Sequence, residues 1–346
     1  MFKKIVSVVM AVLMTVSVFA FSASAATKSG KRYRVITALG DSASSGYGLP
    51  DYQKYGQTVI YEKRIANSYP DLLAKDLGAE KLYPYGVSGI RTTELRYLLD
   101  NNYYGDILMD RDMPKMSNDV IKREKLKELK PLYQNAVKQS DLVTLDIGFD
   151  DIWIPTIACI YDIADDGIFN QLDPEKTIAD KVAKYGSTRV VIENALSYLI
   201  AWYTHPAKWV YYWDSWATTV ARWLADFYIQ YEHIVDQIYY LNPQVTVVAV
   251  GCYNPCEEWS IFPGDKDIGH TIQPYYDILT AYKRRFTSRY PTYHYVSARN
   301  VDIITKYVQL PLYENLTLDD SGFNPHPTEA GHRDIEQRIL RELGEI

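Results

Sequence analysis

The chain has 346 residues, with 37 basic and 43 acidic side chains, and its formal net charge at pH 7 is −6. This acidic balance argues against a nucleic-acid partner, because phosphate binding relies on clustered lysine and arginine. The length fits one large domain, or one domain with a sizeable insertion. The three cysteines lack the paired spacing of a zinc site, and in an oxidising compartment any one pair can form a disulfide, from Cys159, Cys252 and Cys256.

The N-terminal segment has the pattern of a secretory signal peptide. Lys3 and Lys4 precede an apolar run over Ile5–Phe21, and small residues follow at positions 23–25. The apolar run is short for a membrane anchor, and it ends in small polar residues. We therefore predict a signal peptide over residues 1–25 of a bacterial precursor. Residues 26–346 would then form a secreted domain without stable membrane insertion.

Short apolar runs alternate with helical patterns along the rest of the chain. The predicted strands are Tyr33–Leu39, Lys81–Tyr85, Leu142–Ile147, Val245–Val250 and Tyr293–Val296. The clearest predicted helices are Tyr69–Leu77, Glu124–Lys138 and Ala221–Leu241, with a last helix from Thr328 to about Leu343. This alternation predicts an α/β fold with a parallel sheet covered on both faces. Ligands of such sheets bind outside the carboxyl ends of the strands, so residues that follow each run are site candidates.

The segment between the third and fourth predicted strands is longer than a simple crossover needs. It is rich in tryptophan and tyrosine, and we predict a helical insertion over about residues 154–225. The insertion is either a lid or wall of the substrate site, or a buried helical pair that thickens the core, and apolar periodicity fits both. Aromatic side chains suit sugar or acyl-chain binding as well as core packing.

Three candidate residues follow predicted strands or lie in a rigid loop. Ser42 ends a Gly-Asp-Ser turn after the first strand, where it is either an exposed nucleophile or a turn hydroxyl. Gly89, in a small-residue loop after the second strand, either offers its N–H to a ligand or simply begins a helix. His326 stands between two prolines before the last helix, where an imidazole can act as general base and then as general acid.

Four other histidines are interpreted as surface or structural residues: His205, His233, His270 and His294. His332 is interpreted as a residue on one face of the last helix.

Four segments, in order along the chain from residue 33 onward, resemble the SGNH (GDSL) family of esterases and lipases. They are Gly-Asp-Ser at 40–42, Val-Ser-Gly-Ile-Arg-Thr-Thr at 87–93, Gly-Phe-Asp-Asp at 148–151, and His-Pro at 326–327 followed by a glycine at 331. The resemblance implies a flavodoxin-like three-layer α/β/α sandwich with a five-stranded parallel sheet. It also implies ester hydrolysis through an acyl-enzyme, with no metal and no organic cofactor.

The resemblance assigns roles to these residues. Ser42 is the implied nucleophile and His326 its base, and the N–H groups of Ser42 and Gly89 form an implied oxyanion hole. Asp150 stands where the family has an asparagine that donates to the oxyanion. An ionised carboxylate cannot donate, whereas a protonated one can, so we expect lowered or acid-shifted activity.

The acid partner of the histidine is a second departure from the family pattern. The family usually places an aspartate three residues before the histidine, and Phe323 stands there in this chain. Either Asp320 reaches the imidazole, or a backbone carbonyl orients it in a Ser–His dyad, which we favour. Trp153, just beyond the third motif, either lines an acyl pocket or packs in the core.

The sequence therefore predicts a secreted carboxylic ester hydrolase that acts on lipid acyl esters or acetylated glycans. The alternative is a weakly active or inactive protein of the same fold that binds glycan or lipid in the same cleft. Asp150 favours this alternative, whereas the presence of both Ser42 and His326 favours the enzyme.

Overall fold

The computed structural model describes residues 33–54, 63–105, 123–153, 206–258, 267–304 and 324–346. Its centre is a five-stranded sheet in the order β2-β1-β3-β4-β5, and each neighbouring pair is parallel. The strands are β1 (Val35–Gly40), β2 (Lys81–Gly86), β3 (Leu142–Asp146), β4 (Thr246–Val250) and β5 (Tyr293–Val296). The predicted parallel sheet is confirmed, because each strand lies within two residues of a predicted run.

Helices cover this sheet in two groups. The helices of the described residues are α1 (Ser42–Ser45), α2 (Pro50–Lys54), α3 (Tyr69–Asp76), α4 (Thr92–Leu99), α5 (Arg123–Gln139), α6 (Pro206–Leu241), α7 (Asp267–Arg284) and α8 (Glu329–Leu343). Helices α3 and α8 pack together and against β2 and β5, while α4, α5 and α6 pack against one another. The strand order reverses direction after β2, so the right-handed rule for parallel crossovers puts the two groups on opposite faces of the sheet. The architecture is therefore the expected three-layer α/β/α sandwich.

The central strands form because their residues suit burial on both faces. All residues of β3 and β4 are buried, and β1 is buried from Ile36 onward. Strands covered on both faces read as continuous apolar or β-branched runs, as these sequences do. Burying one such large apolar side chain contributes roughly 1.5–3 kcal/mol, so the sheet provides a rigid base for the loops at its carboxyl end.

The helix that enters β4 differs from the prediction. The predicted helix begins at Ala221, whereas α6 begins at Pro206 and runs without a break to Leu241. Proline suits the first helical position, because the amide hydrogen it lacks would have no intrahelical acceptor there. A single helix therefore runs through the predicted end of the insertion near residue 225, and the bounds of the insertion stay a prediction. Residues 154–205 of that insertion lie outside the described part of the chain.

The C-terminal half of α6 buries a stripe of large apolar residues against the core. The stripe consists of Phe227, Tyr231, Ile234, Val235 and Ile238. Their spacing of three or four residues repeats once per helical turn, so they share one face.

The predicted signal peptide at residues 1–25 lies outside the described residues. In the part of the chain that the structure describes, no helix has the length and apolar character to cross a membrane.

Candidate active site

Three of the sequence-predicted residues lie at the carboxyl end of the sheet. Ser42 follows β1, Gly89 follows β2 and Asp150 follows β3, in adjacent strands of the sheet. The loops are in close contact there, since a Cβ placed on Gly86 would lie 2.5 Å from the backbone nitrogen of Ser45. Likewise a Cβ on Gly40 would lie 2.1 Å from the carbonyl oxygen of Asp146. These glycines therefore allow the three loops to approach one another.

Ser42 is the first residue of the short helix α1. Asp41 caps this helix, because its carboxylate accepts the N–H of Ala43 at 3.1 Å. The carbonyl oxygen of Ser42 accepts two hydrogen bonds, from the Ser45 hydroxyl at 2.8 Å and from the Tyr47 N–H at 3.0 Å. These contacts fix the backbone around the serine in a tight turn, as the Gly-Asp-Ser sequence predicts.

The imidazole of His326 is held by Asn324. The Asn324 Oδ1 atom lies 2.7 Å from Nδ1 of the ring and also accepts the backbone N–H of His326 at 3.2 Å. Because the backbone group can only donate, the atom that faces it is the carbonyl oxygen of the amide, which can only accept. Nδ1 therefore carries the hydrogen, and Nε2 of the neutral ring is left with a free lone pair. This is the tautomer that a general base for a hydroxyl requires.

The loop that carries His326 is itself anchored to the segment after β5. The carbonyl oxygen of His326 accepts the N–H of Ile304 at 2.9 Å, and the N–H of Thr328 donates to the carbonyl of Asp302 at 3.0 Å. Pro327 pairs with Ile303 in an antiparallel bridge between these two hydrogen bonds.

Burial lowers the pKa of His326 to about 3, and His332 acts in the same direction. The ring is therefore neutral across the usual range of pH.

Asp150 and the neighbouring Asp151 are both buried, and they have different surroundings. Asp151 accepts the N–H of Thr92 at 3.1 Å and its hydroxyl at 2.6 Å, which places its carboxyl group at the start of α4. Burial raises the pKa of Asp151 to about 7, and the hydrogen bonds from Thr92 oppose this rise. Asp151 thus has a structural role at this helix end.

Asp150 lies beside the backbone N–H of Gly89, so the two predicted oxyanion groups are neighbours. Burial raises the pKa of Asp150 to about 8, the charge of Asp151 adds to the rise, and Arg91 and the Gly89 N–H oppose it. Among the described residues, Oδ2 of Asp150 is buried and has no hydrogen-bond partner. A protonated carboxyl with a free oxygen can donate one hydrogen bond, as the asparagine of the SGNH pattern would.

A cluster of buried titratable groups, which no sequence motif predicted, lies beneath this region. Lys283 on α7 is fully buried and donates to the carbonyl oxygen of Val250 at 2.8 Å. Burial raises the pKa of Asp146 to about 6, and the positive charge of Lys283 opposes the rise. Burial also raises the pKa of Asp41, and the charges of Asp146 and Asp150 increase the effect. Lys283 therefore compensates the carboxyl groups under the Gly-Asp-Ser turn.

Of the other predicted residues, two are buried in the described part of the chain and one lies outside it. Trp153 is buried and packs on Phe149 with ring centroids 5.8 Å apart, in the main hydrophobic core. His332 is fully buried in α8, and its Nδ1 accepts the N–H of Tyr69 at 3.3 Å. Asp320 lies outside the described residues, so its role stays a prediction.

The cysteines of the described region are both reduced. Cys252 and Cys256 are buried free thiols, so they are not joined to each other, and Cys159 lies outside the described residues. Within the described ranges, no group of three or more His, Cys, Asp or Glu side chains is arranged to hold a metal ion.

Sequence reasoning missed Asn324 and Tyr47 as well as Lys283. The predicted acceptor for the imidazole was a backbone carbonyl or Asp320, whereas the observed one is the side-chain amide of Asn324. An asparagine two residues before a histidine is a signal that could have been used, because Asx side chains often bond to the backbone two residues on. The Tyr47 ring packs on the His326 ring in a tilted arrangement with centroids 4.3 Å apart, a contact that depends on tertiary structure.

No protein-family model matches the chain, and no curated protein sequence matches it either. Among solved structures, it is similar to an extracellular lipase from Streptomyces rimosus, at 16% identity over 88% of this chain and 97% of that one, with a TM-score of 0.47. It is also similar to phospholipase A1 from Streptomyces albidoflavus NA297, at 15% identity over 89% and 98% of the two chains, with a TM-score of 0.46. A family two carbohydrate esterase from Clostridium thermocellum has 12% identity over 94% of this chain and 68% of that one, with a TM-score of 0.36. The activities named for these enzymes belong to them, and what this chain does has to follow from its own residues.

Proposed function

We propose that the chain is a secreted serine ester hydrolase of the SGNH type. The observation that carries the proposal is the Asn324–His326 contact, which leaves the Nε2 lone pair free for a hydroxyl donor. Tyr47 contacts both residues, because its ring packs on His326 and its N–H donates to the carbonyl of Ser42. A serine hydroxyl and an oriented neutral imidazole are the parts that nucleophilic acyl transfer needs, and the contacts of Tyr47 with both residues support this proposal.

The proposed reaction begins when Nε2 of His326 takes the proton from the hydroxyl of Ser42. The serine oxygen attacks the ester carbonyl, and a tetrahedral intermediate forms with a negative oxygen. The N–H groups of Ser42 and Gly89 and the protonated carboxyl of Asp150 donate to that oxygen. The imidazolium then protonates the leaving alcohol, and water releases the acyl group with His326 again as base. No organic cofactor or metal takes part in these steps.

The proposed substrates are lipid acyl esters or acetylated glycans. A panel of p-nitrophenyl esters from acetate to palmitate, together with acetylated xylan, separates the two classes. A steep preference for long chains supports lipid esters, whereas acetate release from the glycan with little activity on long chains supports a carbohydrate esterase.

The first test of the function compares wild type with Ser42→Ala and His326→Ala on p-nitrophenyl acetate. We expect both variants to lose at least about 10³-fold in kcat, since the residues act as a unit. Ser288→Ala, at an exposed serine of the 3-10 turn after α7, is the matched control and should retain the wild-type rate. A wild-type rate equal to that of Ser42→Ala would contradict the enzyme and favour the alternative.

The alternative is a weakly active or inactive protein that binds glycan or lipid in the same cleft. Asp150 is the residue that favours it, because its ionised form, which predominates above about pH 8, repels a developing oxyanion. Retained binding of a long-chain ester by a protein without Ser42-dependent turnover would support this second function.

Secretion is part of the same proposal. The chain expressed in a bacterium with an intact export pathway should appear in the medium with Ala26 as its first residue. N-terminal sequencing tests this, and a protein retained in the cell with Met1 still in place would contradict it.

A further inference from the structure

Tyr47 lies in a turn that two glycines hold against the histidine loop. Gly46 and Gly48 have φ angles of 77° and 87°, in the left-handed region that favours glycine. A Cβ on Gly48 would lie 2.8 Å from Cδ1 of Ile304 and 3.1 Å from Nδ2 of Asn324. The turn therefore packs directly against the residues that hold His326, and a larger residue at position 48 would push it away.

Tyr47 contacts both proposed members of the reaction. Its backbone N–H donates to the carbonyl oxygen of Ser42 at 3.0 Å. Its ring lies 4.3 Å from the imidazole of His326 between centroids, at an interplanar angle of 36°. Tyr52 lies 4.9 Å from the Tyr47 ring and supports it within the small cluster that also contains Leu49 and Ile65. One residue thus fixes the serine backbone on one side and the imidazole on the other.

The described groups around His326 leave its cationic form without a negatively charged partner, and the contact with Tyr47 bears on this. In the proposed reaction the ring becomes a buried imidazolium, and its Nδ1 partner, Asn324, is a neutral amide. An aspartate in that position would stabilise the cation, whereas an amide mainly orients it. His332 would oppose the imidazolium if it were charged, but burial lowers its pKa to about 3 and keeps it neutral. An aromatic face can offset this lack, because the ring quadrupole attracts a cation.

We propose that Tyr47 is a positioning residue of the acyl-transfer reaction, which holds the imidazole of His326 through the contact between the two rings and stabilises its cationic form. The inference rests on the proposed function, since it assigns no activity of its own. The proposal assigns the effect to the aromatic face, which phenylalanine keeps. A leucine keeps most of the apolar volume and removes the aromatic face.

The test measures kcat and KM on p-nitrophenyl acetate for wild type, Tyr47→Phe and Tyr47→Leu. We expect the leucine variant to lose about five- to thirtyfold in kcat, the range of a desolvated cation–π contact. Its KM should stay within about twofold, because the contact with the imidazolium acts after substrate binds. Tyr47→Phe should keep the wild-type kcat. Tyr240→Leu, at a tyrosine of α6 that is 79% exposed, is the control for the same substitution elsewhere.

Three outcomes separate the two proposals. If wild type turns over much faster than Ser42→Ala while Tyr47→Leu equals wild type, the function stands and the role of Tyr47 is overturned. An equal loss in Tyr47→Phe and Tyr47→Leu also overturns it, because the hydroxyl would then be responsible. If wild type is no faster than Ser42→Ala, the function itself fails, and the role of Tyr47 fails with it. Thermal melting checks that the leucine variant folds, and Tyr47→Met carries the same comparison if it does not.

Discussion

Replacing Asp150 with asparagine is expected to remove the alkaline limb of the pH–rate profile. Burial raises the pKa of Asp150 to about 8, so the carboxyl group is mostly protonated at pH 7 and mostly ionised at pH 9. Only the protonated form can donate to the oxyanion. The asparagine side chain has nearly the same shape and donates at every pH, so the substitution changes the titration and little else.

The size of the effect follows from the pKa and from the value of one oxyanion donor. One donor is worth about 10²–10³ in kcat, so the ionised form contributes almost nothing to the rate. Wild-type kcat should therefore fall roughly tenfold for each pH unit above about 8 until that floor is reached. The ratio of Asp150→Asn to wild type should be near one at pH 6 and at least about tenfold at pH 9.

The assay is initial-rate hydrolysis of p-nitrophenyl acetate from pH 5 to 9, corrected for spontaneous hydrolysis with the Ser42→Ala protein. His326 does not confuse the result, because burial lowers its pKa to about 3 and the ring stays neutral throughout. Asp151, with a pKa raised by burial to about 7, is the nearby group that could produce a similar limb. Superimposable profiles for wild type and Asp150→Asn would refute the reasoning.

The same substitution has a consequence for stability. The folded-state pKa of Asp150 lies above its ordinary value of 3.8. The contribution of this carboxyl group to the free energy of unfolding is therefore fully present below about pH 4 and is lost as the pH rises towards 8. Asparagine removes this loss, and Asp150→Asn should become progressively more stable than wild type over that window. The gain is on the order of 5 kcal/mol at its upper limit, and chemical denaturation at pH 5 and pH 8 measures it.

Two further predictions concern the groups that support the site. Asn324→Ala should lower kcat about 10²-fold by releasing the imidazole, and Asn324→Asp should restore most of it, since a carboxylate oxygen can also accept from Nδ1. An equal loss in Asp320→Asn, with none in Asn324→Ala, would assign the orienting role to Asp320 instead. Lys283→Met should lower the free energy of unfolding by roughly 3 kcal/mol at pH 8, because it leaves the buried carboxyl of Asp146 without a compensating charge. The loss should shrink at pH 5, where Asp146 is protonated, and a loss independent of pH in urea unfolding would show that the charge is not the cause.

The sheet was predictable because its strands carry their own signal. Strands such as β3 and β4 are buried on both faces, so Leu142–Asp146 and Thr246–Val250 read as unbroken apolar or β-branched runs. The end of α8 was predictable for a similar reason, since Gly344 adopts the left-handed conformation that often ends helices. The start of α6 at Pro206 was not predictable. The apolar periodicity of the sequence before Ala221 also fits a separate pair of helices, so it does not indicate one continuous helix.

The site was predictable only as far as residue types and strand ends allow. Ser42, Gly89 and Asp150 follow successive strands of the sequence, and parallel strands bring their carboxyl ends together. Asn324 and Tyr47 act through contacts across loops, which no spacing in the sequence encodes. Lys283 sits in a helical pattern like any surface lysine, and only its contact with the carbonyl of Val250 in the core reveals its burial.

The central claim is that Ser42 is a nucleophile activated by His326. Incubation of the intact protein with a fluorophosphonate ester, followed by peptide mapping in a mass spectrometer, tests it without any assumption about the natural substrate. The account predicts a single phosphonyl adduct on Ser42, formed at least about 10²-fold more slowly in His326→Ala. An adduct on another residue, no adduct at all, or a labelling rate that His326→Ala leaves unchanged would contradict it.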